Sequence, residues 1–67
     1  VSERMSIGSN IKALRQGKGI SQAKLAEKVY VDPSMISKIE QDRKIPTLPL
    51  AAAIADALEC DIKAFME

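Results

Sequence analysis

The segment from Ser21 to Glu40 constrains this chain most, because it ends one helix and opens another within about three residues. Ser21 is a good N-cap, and Ile20 before it has the spacing from Leu25 that lets an apolar staple close over a first helical turn. A helix therefore starts at Gln22 and ends near Val29 or Tyr30. Asp32 then caps the next helix, Pro33 takes its first position, where no amide hydrogen is missed, and Val31 repeats the staple spacing with Ile36. Two short helices joined this tightly cross steeply, so a small residue is needed where they approach, and Ala26 stands there. Leu25, Val29, Ile36 and Ile39 supply the apolar inside of the corner.

The rest of the chain reads as helices packed around that corner. Ile7, Ile11 and Leu14 recur at helical spacing before the breaker Gly17-Lys18-Gly19, which predicts a first helix from about Ser6 to Gln16, with Lys12 and Arg15 off its apolar stripe. The third helix ends near Gln41, where Asp42-Arg43-Lys44 is too polar to continue the stripe, and a loop follows through Pro46. Thr47 caps a fourth helix, with Ala51, Ile54, Ala55 and Leu58 on one face and Pro49 in its first turn. Asp61 caps a last short helix in which Cys60 and Phe65 have staple spacing, with Ile62 and Met66 nearby. No strand-like run interrupts the series. The expectation is an all-α, compact five-helix bundle: one domain over residues 6–67 behind a flexible polar leader, Val1 to Met5. At 67 residues it buries little surface, and its stability should be modest.

Composition removes several classes of function. Cys60 is the single cysteine and histidine is absent, which excludes an internal disulfide, a usual structural zinc site and a Cys-His or Ser-His-Asp pairing. There is no glycine-rich phosphate loop and no pair of carboxylates at fixed helical spacing in an apolar setting, so the reading is a non-enzyme without metal or cofactor and without an evident small-molecule site. No apolar run approaches the roughly 20 residues that span a bilayer, and the expected compartment is the reducing cytoplasm. Net charge is only +1, but it is unevenly placed. Residues 1–44 carry nine of the ten basic residues against five acids, whereas residues 45–67 carry Lys63 against four acids. The first two thirds look like the anion-facing part.

Gln22-x-x-Leu25-Ala26, then Val31-x-x-x-x-Ile36-x-x-Ile39-Glu40, Pro46, and Leu50 through Leu58 resemble the phage-repressor-like (Xre-type) helix-turn-helix DNA-binding domains. The resemblance runs from Ile7 to about Met66. It implies a five-helix domain in which the third helix reads bases in the major groove while the start of the second helix and the loop after the third hold phosphates. Gln22 matches the family's phosphate-contacting glutamine, and Arg43 and Lys44 match its backbone-tracking loop; Lys24, Arg15 and Lys12 are weaker candidates of the same kind. With Ile36 and Ile39 inward, helical geometry turns Ser34, Ser37, Lys38 and Gln41 outward as the base-facing set. Lys38 suits guanine O6 and N7, or a phosphate; Met35 fits either the rim of the core or a thymine methyl. Glu40 matches an acid that is structural in the family, and an ion pair with Arg15 would suit it.

Two departures concern the turns. The family commonly has glycine in the turn after helix two, where this chain has Tyr30, and often glycine after the helix-three glutamate, where Asp42 stands. A bulky residue at positive φ is strained, so either Tyr30 bears that strain or the turn differs. The functional expectation is a sequence-specific regulator of transcription, a repressor, binding double-stranded DNA at a palindromic operator as a homodimer joined through the apolar, acidic C-terminal third. The competing reading is an antitoxin or co-regulator that uses the same fold to hold a toxin or another protein.

Overall fold

Each helix starts where a short polar side chain or a proline stands. The computed structural model describes residues 6–64 and places α1 at Ile7–Gly17, α2 at Gln22–Lys28, α3 at Pro33–Glu40 and α4 at Leu48–Ala57. The hydroxyls of Ser6, Ser21 and Thr47 accept from the backbone N–H groups of Ser9, Lys24 and Leu50 at 3.0, 3.0 and 3.4 Å. Asp32 occupies the N-cap position of α3 in extended geometry but makes no capping bond. Its carboxylate instead accepts from the Ser34 hydroxyl at 2.9 Å.

Of the expected fifth helix the described residues show one 3₁₀ turn, Ile62–Ala64, and four α-helices are present among them. Asp61 explains the difference. Its Oδ1 accepts from the Lys63 N–H at 3.1 Å, two residues on, and its carbonyl accepts from the Ala64 N–H at 2.8 Å. Both bonds tighten the chain below the α-helical pitch. The staple partner Phe65, Met66 and the leader 1–5 lie outside the described residues.

Helix ends follow one pattern four times. After α1 the N–H groups of Gly19 and Ile20 reach back to the carbonyls of Gln16 and Arg15; after α2, Tyr30 and Val31 reach Glu27 and Ala26; after α3, Asp42 and Arg43 reach Ile39 and Lys38; after α4, Glu59 and Cys60 reach Asp56 and Ala55. These are Schellman motifs, which require a left-handed residue just past the helix. That residue is Gly19 at φ 70°, Tyr30 at 61°, Asp42 at 62° and Glu59 at 57°. The turn expected to need glycine is thus kept, and Tyr30 bears its strain.

Ile11, Leu25, Ile36, Ile39, Ile54 and Leu58 fill the centre, and Ala26 and Ala51 are fully buried among them. α1 meets the end of α3 at Gly8, where a β-carbon would overlap the Ile39 carbonyl oxygen, and the Gly8 N–H donates to Asp42 Oδ1 at 3.3 Å. No helix among the described residues is long and apolar enough to cross a membrane.

Candidate nucleic-acid interface

The core fixes the orientation of α3. Ile36 and Ile39 are fully buried, so Ser34, Lys38 and Gln41 emerge on the exposed side, with Ser37 half-buried on the flank. Met35 is half-buried and packs against the core. The outward groups are joined to one another. Arg43 Nη1 donates to Gln41 Oε1 at 3.2 Å, and Gln41 Nε2 donates to Ser37 Oγ at 2.9 Å, which leaves the Ser37 hydroxyl proton free to donate. Ser34 is the opposite case: its proton is given to Asp32, so its oxygen faces outward as an acceptor.

Lys38, Arg43 and Lys44 are exposed together at the end of α3 and in the loop after it. Lys24 is exposed in the first turn of α2, paired loosely with Glu27 at 3.6 Å. An exposed pair of this kind contributes little and does not withhold the lysine from another anion.

Arg15 is elsewhere. Its side chain is 10 % exposed, Nε and Nη2 donate to the Glu40 carboxylate at 2.6 and 3.2 Å, and Nη1 donates to the Ile20 carbonyl at 2.7 Å. It follows Ile7 and Ile11 at intervals of four, which is the buried stripe of α1, so the expectation of an off-stripe residue free for phosphate is corrected. The ion pair with Glu40 is as expected. Gln22 is half-buried at the start of α2, and its Nε2 also donates to Glu40 Oε1, at 2.9 Å.

Three features carried no signal that the sequence reading used. Gly8 was given no role, although a glycine inside a helical pattern marks a close approach. The bond from Ser34 to Asp32 was missed because Asp32 was assigned to capping. Ile45 and Leu48 are large apolar side chains 78 % and 67 % exposed, and Ile45 lines a cleft of about 260 Å³ together with Ile7, Gly8, Ile39 and Lys44. Cys60 is half-buried; burial first, then the Asp61 carboxylate, push its thiol pKa up, with Lys18 acting against them, which favours the protonated thiol.

An α2–α3 corner with a polar outer face on its second helix is the helix-turn-helix arrangement. The family model described as "Helix-turn-helix" matches residues 11–65, and the chain belongs to that family, in its phage-repressor-like branch. It is 37% identical over 62 residues to the immunity repressor protein of Bacillus phage phi105, which covers 92% of this chain and 43% of that protein. The chain thus spans less than half the length of that relative. Among solved structures, it is similar to the P22 c2 repressor in complex with a synthetic operator, at 28% identity and TM-score 0.90, covering 96% of this chain and 97% of that one. The master regulator for biofilm formation SinR, solved in complex with DNA, matches at 31% identity and TM-score 0.85 over 91% of this chain and 98% of that one.

Proposed function

We propose that this chain is a sequence-specific regulator of transcription, a repressor, which binds a palindromic operator in double-stranded DNA as a homodimer with α3 in the major groove. One observation carries the reading: Ile36 and Ile39 are wholly buried, so α3 presents Ser34, Ser37, Lys38 and Gln41 on one outer face, with Arg43 and Lys44 immediately beyond. The immunity repressor, the operator-bound P22 c2 repressor and the DNA-bound regulator SinR that it resembles support a DNA-binding role.

In this reading Ser34, Ser37, Lys38 and Gln41 face base edges, with Met35 at their margin, and Gln22, Lys24, Arg43 and Lys44 neutralise or bind phosphates. Arg15 acts from inside, through Glu40. A single domain offers few base contacts, so specificity calls for two half-sites about one helical turn apart. The exposed Ile45 and Leu48 are apolar surface suited to a second copy, placed just past the end of α3.

The test is selection of sites from a random duplex pool by the purified domain, then titration of the winner against its scramble at physiological salt. An inverted repeat bound far more tightly than the scramble supports the regulator and the two-fold arrangement together. Failure of the folded domain to enrich any sequence moves the assignment to the protein-interaction reading, for which the 93 % exposed Tyr30, beside Val29, Ala53 and Ala57, is the favoured surface.

A further inference from the structure

We propose that Glu40 is a positioning residue for DNA binding: its buried carboxylate sets which way the Gln22 carboxamide faces. The inference rests on the reading of Gln22 as a phosphate contact and adds what makes that contact possible.

A glutamine amide turns freely about its last bond and presents either its NH₂ or its C=O to the outside. Phosphate oxygens only accept, so the C=O orientation is repelled, and a glutamine free in all its torsions must also give up its rotamer freedom to present the NH₂. In this chain the choice is made beforehand. Glu40 is 7 % exposed, and Arg15, a guanidinium that can only donate, holds it through two bonds at 2.6 and 3.2 Å. Both of its oxygens thereby accept, Oε2 from Arg15 Nε and Oε1 from Arg15 Nη2. Gln22 Nε2 lies 2.9 Å from Glu40 Oε1, and turning the amide over would set two oxygens against each other. With one Nε2 hydrogen given to Glu40, the second remains for a phosphate. Arg15 also neutralises the acid, so a negative charge behind the interface does not oppose the incoming anion.

A purely structural role, tying α1 to α3, makes a different prediction. Buried ion pairs are commonly replaceable by apolar side chains of similar volume without loss of stability. If tying the helices were all, the double variant Arg15→Met/Glu40→Met would fold and bind DNA as the parent does. If Glu40 orients Gln22, that variant folds and loses affinity.

The experiment is a double-mutant cycle on the selected duplex and its scramble, with the parent, Gln22→Ala, Arg15→Met/Glu40→Met, and the triple variant. Gln22→Ala should weaken binding roughly tenfold in the parent and less than about twofold in the double variant, which itself loses roughly tenfold on both duplexes while its circular dichroism and melting are unchanged. Equal effects of Gln22→Ala in the two backgrounds overturn the positioning role. A parent that binds neither duplex overturns the DNA reading itself, and the positioning role with it.

Should the double variant unfold, side-chain amide NMR of the parent decides. One Gln22 Nε2 proton should lie downfield of those of exposed Gln16 before DNA is added, and the other should move on titration. Gln22 protons that coincide with those of Gln16 in the free protein overturn the proposal.

Discussion

The recognition proposed for this chain rests on single side chains whose direction the neighbouring residues dictate. Among the described residues Lys38 has no hydrogen-bond or ion-pair partner and emerges between Ser34 and Gln41, so it is a free donor there. Lys38→Ala should weaken binding to the selected site by about 1 to 3 kcal/mol, and less to the scramble, as read by titration of both duplexes at one salt concentration. Tyr30 makes the opposite kind of prediction. It is 93 % exposed and sits at φ 61°, so it is strained without gaining burial. Tyr30→Gly should raise stability by about 1 kcal/mol in urea unfolding and leave DNA affinity unchanged. The outward set was legible because inward Ile36 and Ile39 leave a helix only one other side. Arg15 was not, because charge was weighed above its interval of four from Ile11, and its partner Glu40 lies 25 residues away along the chain.

At the level of the elements, starts and stops differ in how well they can be read. Starts are written in residue chemistry: Ser6, Ser21 and Thr47 cap, and Pro33 and Pro49 stand in first turns. Stops are written in backbone conformation, and three of the four left-handed positions hold Tyr30, Asp42 and Glu59, where the glycine that usually signals them is missing. The residue one past that position is Ile20, Val31 and Cys60 after α1, α2 and α4, apolar as the motif favours, but Arg43 after α3. The single polar substitution falls where the chain leaves the proposed interface, in keeping with a side chain meant for phosphate. The α1–α3 contact at Gly8 gives a sharper test. A methyl there meets the backbone of Ile39 and Glu40, which cannot swing aside as a side chain would, so Gly8→Ala should cost about 1 to 3 kcal/mol in urea unfolding.

The whole molecule is a small core that carries two exposed surfaces of different character. The polar face of α3 is proposed for DNA and the apolar pair Ile45 and Leu48 for a second copy. Replacing both by serine removes no core contact, because the side chains are mostly in solvent. Binding of the double serine variant to the full inverted repeat should lose about 2 kcal/mol and its cooperativity, while binding to an isolated half-site duplex stays the same. The separation of the core from the α3 face has a further consequence. Ile36 and Ile39, which tell α3 where to pack, and Ser34, Lys38 and Gln41, which lie on its other side, share no task. If α3 is read as proposed, the address can be rewritten while the envelope stays sealed: a new set of outward residues grafted onto α3 would send the same scaffold to a different operator with its melting temperature almost unmoved.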